Sequence, residues 1–438
     1  MVYTVKKPNG PLEILTEAPG SKSITNRALL MAAMAKGESI LEGVLFSDDS
    51  KHFLQALKDL GYPVEIDEKH HQVRIMGGEI PNKEANIFVG SAGTAARFLT
   101  AFLACSDGVY QLDATEQMKK RPMKELLVAL TELGAGITYL EEEYTFPFII
   151  EGLKKKASSE EAEVVLNIDR SSQFLSALLM VAPICFSKLT IHLIGKRSAR
   201  SYVEMTEQMM KQFGHKGVTK IDADSYQVDA MPYQARIYGV EPDVSAACYF
   251  YAMAAVTGGS AIVKYVRKDS LQGDMKFLSV LQQMGCTILE TDVEGMEEKQ
   301  IKVIGPKDGK LKGITASFSD FSDQTLTAAA IAPYADSKTE ITGISHIRGQ
   351  ESDRIHVIYT ELSRMGIRCE ERTDGVVIFP GKPHAARIET YQDHRVAMAF
   401  AITGLGCEGI EIANPSCCKK TFPDYFERFD DILEKNRR

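Results

Sequence analysis

The chain has 438 residues, 44% of them hydrophobic, enough for two or three domains with sizeable cores. A formal net charge of −8 excludes an overall basic field for nucleic acid or an anionic membrane, so any affinity for anions must be local. The opening MVYTVKKPNGPLEI has neither the apolar core of a signal peptide nor the Arg/Ser character of a transit peptide. The longest apolar stretch, Phe174 to Phe186, is broken by Ser176 and Pro183 and is too short for a bilayer, so a cytoplasmic protein is expected. Its 8 cysteines are scattered, without CxxC or zinc spacing, and Cys417 and Cys418 are adjacent, which points to free thiols in a reducing compartment.

The first informative stretch is GSKSITNRALL, Gly20 to Leu30. Pro19-Gly20 permits a sharp turn, and Ile24–Ala35 is rich enough in Ala and Leu to be helix. Ser21, Lys22 and Ser23 then fall at a helix N-terminus, where unpaired N–H groups and the positive dipole end favour a phosphate or carboxylate. Lys22 and Arg27 add full charges. The plainer alternative is a Ser-capped helix with two solvated cations.

Further along, helices ending in an apolar residue and a glycine recur at intervals of about 70 to 80 residues, at Gly61, Gly134, Gly214, Gly285 and Gly366. Each glycine reads as a helix C-cap, and a short strand follows. A sixth helix runs from Asp424. Interleaved with these lies a second set of helices: Ile24–Ala35, Thr94–Cys105, Ser172–Val181, Val244–Val256, Gln324–Ile331 and His394–Gly404. Several are apolar nearly all round, which places them at domain centres. Six units of two helices and several strands are expected as two sets of three, with the boundary near Tyr238-Gly239-Val240.

Polar residues that suit neither core nor surface fall at the helix starts. Ser91-Ala92-Gly93-Thr94 opens a helix carrying Arg97; Arg121 precedes Pro122, a good first-turn residue; Ser171-Ser172-Gln173 opens FLSALLM. Asp323-Gln324 opens TLTAAAIA, Glu351-Ser352-Asp353-Arg354 opens IHVIYTEL, Asp393-His394-Arg395 opens VAMAFAI, and Lys420 precedes Thr421, a plausible cap. Singly, each reads as a cap or ion pair. Together they predict that Lys22, Arg27, Arg121, Arg354, Arg395 and Lys420 meet at one cleft between two halves, holding two phosphorylated or carboxylated small molecules. Such cations would repel across an empty cleft, so an anionic substrate should draw it closed. The sequence contains no Walker A, dinucleotide or serine-hydrolase motif, and His70-His71 and His215 lie in polar segments expected to be exposed. No metal and no cofactor are expected.

In order over nearly the whole chain, PGSKSITNRALL, GSAGTAARFL, MKKRPM, SSQFLSALLM, ESDRI, DHRVAMAF and KTFPDYFERF resemble the 5-enolpyruvylshikimate-3-phosphate synthase family. The resemblance implies an inside-out α/β fold of two domains, each of three βαβαββ-like units with buried helices. Residues 21–239 would form one domain and residues 1–20 plus 240–438 the other, with the active site in the cleft between them. It also implies transfer of the enolpyruvyl group of phosphoenolpyruvate to the 5-hydroxyl of shikimate 3-phosphate by addition–elimination, a step of chorismate and aromatic amino acid biosynthesis and a target of glyphosate. The implied partners are small-molecule substrates, not nucleic acid or membrane, and a monomer is expected.

Matched position by position, the implied shikimate 3-phosphate contacts are Ser23, Arg27, Ser171, Ser172, Gln173, Tyr202 and Asp323. The implied phosphoenolpyruvate contacts are Lys22, Gly93, Arg121, Arg354, Arg395 and Lys420, with Glu351 and His394 beside them. Asp323 is implied as the base for the 5-hydroxyl, and Glu351, with Lys22 nearby, as the proton donor to the methylene; the plainer alternative is that both merely pair with Arg354 or Lys420. Four positions depart from the family pattern. Ala199 stands where a serine is usual, leaving Ser198 or Ser201 to supply a hydroxyl; His346 stands for Asn and Gln350 for Lys at substrate-binding positions; Phe98 stands where some relatives have Pro. The related UDP-N-acetylglucosamine enolpyruvyl transferase is the alternative, disfavoured by SKSITNR, SSQF and the lack of a cysteine before Arg121-Pro122. A non-catalytic six-unit ring would spread its basic residues along helix faces instead.

Overall fold

A computed structural model describes residues 2–153, 160–195, 200–307 and 310–437, and the chain falls into two compact units: Gly20–Val240, and Met1–Pro19 together with Glu241–Arg438.

Within Gly20–Val240, three four-stranded sheets repeat one topology. In one, Glu84–Phe88 runs parallel to Val109–Asp113, which pairs antiparallel with Phe148–Glu151, itself antiparallel to Gly136–Tyr139. Parallel neighbours need a crossover, and the helix Gly93–Ala104 supplies it; Lys124–Glu132 leads on to the antiparallel pair. Glu161–Asn167, Lys188–Ile194, Ser225–Asp229 and Thr219–Lys220 repeat the plan around the helices Gln173–Cys185 and Arg200–Gln212. The remaining sheet closes the unit on itself. Ile237–Gly239, its last strand, lies parallel to Gly37–Glu42 and takes the place of a first strand ahead of the helix Lys22–Met34.

The other unit borrows in the same way from the chain's start. Glu13–Glu17 runs parallel to Ser260–Lys264 and completes a sheet with Gln300–Ile304 and Thr287–Thr291. Thr315–Ser317, Thr339–Thr342, Gly375–Ile378 and Cys369–Arg372 form a second sheet. Ala386–Ile388 lies parallel to Ile410–Ala413, which takes Val2–Thr4 as its antiparallel neighbour.

The apolar helices lie inside, as their patterning requires. Every residue of Gly93–Ala104 is buried, as is every residue from Val244 to Val256. Several buried hydroxyls are satisfied by carbonyls: Thr100 donates to that of Ala96, Thr403 to that of Ala330, and Tyr425, on a neighbouring helix, to that of Met398. Outer helices such as Asp48–Asp59 bury a single face, here through Phe53, Leu54 and Leu57. All five helix-ending glycines have positive φ, from 78° at Gly366 to 107° at Gly134, the conformation only glycine adopts without penalty.

Some local expectations need correction. The helix after Arg121 begins at Lys124 with Met123 as N-cap, so Pro122 lies ahead of its first turn. Lys420 ends a 3-10 turn, Pro415–Lys420, and Asp424, not Thr421, occupies the N-cap of Tyr425–Lys435. His215 is buried rather than exposed; its Nε2 donates to the Asp229 carbonyl at 3.0 Å and its Nδ1 accepts from the Gly217 N–H at 2.9 Å, while burial lowers its pKa. No helix among the described residues is long and apolar enough to cross a membrane.

Candidate functional site

In Gly20–Val240 the three buried helices start at one end of the unit, because hydrogen bonds tie their early turns together. Asn26 Nδ2 donates to Thr94 Oγ1 at 3.0 Å, and Arg97 Nη1 to Gln173 Oε1 at 2.5 Å. Lys22 and Ser23 open the first of these helices. Ser21, its N-cap, makes no side-chain cap bond, so the plain reading of a Ser-capped helix does not hold. Lys22 Nζ stands 3.4 Å from the buried Asp49 carboxylate.

Arg27 is no solvated cation. It is 1% exposed, and its guanidinium donates to Thr206 Oγ1 at 2.8 Å, the Ser23 carbonyl at 2.9 Å, the Tyr202 carbonyl at 3.1 Å and Ser176 Oγ at 3.3 Å. Its face lies over Phe98, 5.2 Å from the ring centroid, giving the departure at that position a packing role. Burial without a carboxylate among these acceptors lowers its pKa to about 10. Arg27 thus fastens Ser23 and Tyr202 to one frame. Ser171 Oγ accepts from the Gln173 N–H at 3.2 Å, and Ser172 precedes that helix. At the start of the helix Gly93–Ala104 the Arg121 guanidinium lies against the glycine: a Cβ on Gly93 would fall 2.6 Å from Arg121 Nη1.

The other unit gathers Asp323, His346, Gln350, Glu351, Arg354, His394, Arg395 and Lys420 quite differently. Arg354, 1% exposed, donates Nη1 to Asp323 Oδ1 at 3.0 Å, Nη2 to Glu351 Oε2 at 2.9 Å and Nε to Asp393 Oδ2 at 2.8 Å. The second oxygens are also engaged, since Arg395 Nη2 reaches Asp323 Oδ2 at 2.9 Å and Lys420 Nζ reaches Glu351 Oε1 at 3.0 Å. The result is an alternating chain of charges, Lys420–Glu351–Arg354–Asp323–Arg395, with one guanidinium holding two carboxylates side by side. Burial works against the Arg354 charge, but Asp393, Glu351 and Asp323 outweigh it and hold its pKa above the ordinary value.

Local structure explains the presentation. Asp393 caps the helix His394–Gly406, accepting from the Arg395 N–H at 3.0 Å, while its other oxygen also accepts from Ser352. Asp353 caps Arg354–Arg364 in the same way, through the His356 N–H. His394 is buried, its Nδ1 3.7 Å from Asp393 Oδ1. His346 shares a hydrogen bond with Ser322 Oγ at 2.8 Å, one residue from Asp323; burial lowers its pKa, with Asp323 opposing. Gln350 ends the 3-10 turn Ser345–Gly349, just before Glu351.

Sequence reasoning treated these cations as a repelling set. Within this unit each is matched by a carboxylate, and the expectation of bare like charges is corrected to that extent. It also missed Asp393 as a functional group, although the residue sits within the quoted DHR motif, and it missed Asp49, Ser176 and Thr206, which only the folded chain brings to Lys22 and Arg27. Ser198 and Ala199 lie outside the described residues, while Ser201 is buried.

Three comparisons bear on this arrangement. The sequence profile of the EPSP synthase (3-phosphoshikimate 1-carboxyvinyltransferase) family matches residues 6–429. The 3-phosphoshikimate 1-carboxyvinyltransferase of Trichormus variabilis is 46% identical over 428 residues, 97% of each chain. The 3-phosphoshikimate 1-carboxyvinyltransferase 2 of Halalkalibacterium halodurans is 38% identical over 417 residues, 94% of this chain and 90% of that one. Among solved structures, an EPSP synthase from Acinetobacter baumannii superposes with a TM-score of 0.79 at 25% identity, covering 98% of both chains.

Proposed function

The chain belongs to the EPSP synthase family, and from that premise we propose that it transfers the enolpyruvyl group of phosphoenolpyruvate to the 5-hydroxyl of shikimate 3-phosphate, releasing phosphate. The observation that carries this reading is the single guanidinium of Arg354 holding Asp323 and Glu351 side by side. Addition requires that the 5-hydroxyl lose a proton as its oxygen bonds to C2, and that C3 gain one. Elimination then removes a proton from C3 as the C2–O bond to phosphate breaks. Two acid/base groups must serve one small volume, and Arg354 fixes such a pair.

Asp323 takes the proton of the 5-hydroxyl and gives it up to the departing phosphate or to water as the product leaves. Glu351 delivers a proton to the methylene and recovers it, with Lys22 assisting. Arg354, Arg395 and Lys420, with His394 in their unit, and Arg121, against Gly93 in the other, supply cations for the carboxylate and phosphate of phosphoenolpyruvate. Ser23, Ser171, Ser172, Gln173 and Tyr202 offer the hydroxyls and amide that suit a phosphorylated, hydroxylated ring, with Arg27 behind them and His346 and Gln350 in the Asp323–Glu351 set. An anion that binds to Arg354, Arg395 or Lys420 competes with an ion pair already present, whereas one that binds near Arg27 does not compete with a carboxylate on that guanidinium.

The reading extends to a monomeric cytoplasmic enzyme: all eight cysteines are free thiols, which fits a reducing compartment. Sedimentation equilibrium returning a single 48.4 kDa species checks the first part. The decisive experiment measures phosphate release from phosphoenolpyruvate with and without shikimate 3-phosphate. Release that needs both substrates supports the reaction; no release with both present overturns it.

A further inference from the structure

Behind the Asp323 carboxylate stands a second acid that the reaction above does not use. Asp274 lies in the short 3-10 turn Gly273–Lys276 and is 4% exposed. Its Oδ1 accepts from Gln324 Nε2 at 2.8 Å, and Gln324 is itself fully buried. The amide oxygen of Gln324 accepts in turn from Thr327 Oγ1 at 3.0 Å. Gln324 is the residue after Asp323, in the 3-10 turn Ser322–Gln324 that feeds the helix Thr325–Ile331. A carboxyl on one side and a helix hydroxyl on the other therefore grip the neighbour of Asp323. That turn has no side-chain cap at Phe321; this grip holds its last residue, while His346 holds Ser322 and the Arg354 and Arg395 guanidinium groups hold Asp323 itself.

We propose that Asp274 is a positioning residue for Asp323, acting through Gln324 to fix the turn on which that carboxylate is presented. The inference rests on the assignment of Asp323 as the base for the 5-hydroxyl.

The surroundings of Asp274 give the role a signature. The groups that face it are Asp323, Arg395, Asp243 and the Cys248 thiol, which points at the Asp274 carbonyl. Burial raises its pKa to about 7, the negative charge of Asp323 adding to the effect and Arg395 opposing it. Below neutrality the carboxyl holds a proton and still accepts the Gln324 amide. As pH rises through that value a second negative charge appears facing Asp323 and Arg395, and it draws on the same guanidinium that Asp323 needs.

Two variants test this alongside the unmodified protein, with kcat and KM for both substrates measured from pH 5.5 to 9 and folding followed by circular dichroism. Asp274→Asn keeps a carbonyl acceptor for Gln324 but cannot ionise. It should hold kcat within about threefold at pH 6 and lack the loss of activity expected of the unmodified protein as pH passes neutrality. Asp274→Ala removes the grip and should lower kcat about tenfold or more at every pH, as displacement of a reacting group does. A structural role alone would leave the pH profile in place in Asp274→Asn. Equal kcat and an unchanged profile in Asp274→Asn, or an Asp274→Ala variant as active as the parent, overturns the inference while leaving the proposed reaction intact. An unmodified protein that does not convert the two substrates overturns that reaction and this inference with it.

Discussion

The two units share a βαβαββ plan and present functional groups from the same kind of place, the start of a buried helix, yet they fill those places with opposite electrostatics. Around Arg27 the acceptors are hydroxyls and carbonyls, so the positive charge is held in position by neutral groups. Around Arg354 every acceptor is a carboxylate, and with Asp393 the charges cancel across six side chains, three cations and three carboxylates. A cation held by neutral oxygens keeps its field for a ligand. A cation held by carboxylates gives up much of that field and in exchange fixes groups that can move protons. The same fold thus supports a cradle in one unit and an acid/base device in the other, and the difference lies in which partners accompany the cation.

The largest expected effect comes from breaking the device. Glu351→Gln keeps size and one acceptor oxygen, for Arg354 or Lys420 but not both, and removes the titrating group, so kcat should fall about a hundredfold or more. Isothermal titration should find shikimate 3-phosphate binding nearly unchanged, and turnover within about threefold of the parent would contradict the assignment. The cradle is tested by Arg27→Lys. An ammonium cannot reach acceptors that a planar fork reaches together, and the orphaned buried groups should lower stability by about 2 kcal/mol, visible as a shift in the urea midpoint. An unshifted midpoint would mean that the neutral acceptors do not depend on the guanidinium.

A smaller effect separates the ligands. The methyl of Gly93→Ala would sit 2.6 Å from Arg121 Nη1, and the guanidinium is the part free to give way. Binding of phosphoenolpyruvate, and of glyphosate, should weaken about tenfold while shikimate 3-phosphate is held within about twofold, since one displaced charge-assisted contact is worth that much. Equal losses for all three would show general damage to the fold. The smallest change leaves both sites alone. Gly285 has φ of 101° with no atom nearer to an added Cβ than Lys312 Cγ at 3.9 Å, so Gly285→Ala meets backbone strain and little else. Stability should drop by about 1–2 kcal/mol with KM for both substrates unaltered.

Much of this architecture was legible because it is written in short-range signals. The five glycines that end helices take positive φ where the spacing put them, and helices such as Val244–Thr257, apolar on every side, are buried on every side. Boundaries were less legible where competing caps were close together. Thr421 and Asp424 both suit an N-cap, and the chain uses the later one because Pro415–Lys420 is already occupied by a 3-10 turn. Long-range placement left no local trace. Nothing near Val2–Thr4 announces a partner at Ile410–Ala413, and nothing near Asp274 announces Gln324. For the site, residue types at helix starts marked where cations would gather and brought Asp323 and Glu351 within reach of Arg354 or Lys420, but did not mark Asp393 as the third carboxylate. Pairing depends on how three elements pack, as Arg354 shows in reaching Asp323, Glu351 and Asp393 at once.

The strands lent from the chain's start set a timetable for synthesis. At roughly 5–20 residues per second, Val2–Thr4 leaves the ribosome on the order of 20 to 80 seconds before the strand it joins. Glu13–Glu17 waits for Ser260–Lys264, and through that interval the whole of Gly20–Val240 is made and can close its own last sheet with Ile237–Gly239. The nascent chain therefore carries a finished unit tethered behind an unpaired ribbon whose edges are open to other chains. Two features of that ribbon limit the hazard: its strands are only 3 and 5 residues long, and Lys6, Lys7, Pro8 and Gly10 separate them. The ribbon is thus suited to stay solvated until first Ser260–Lys264 and then Ile410–Ala413 arrive.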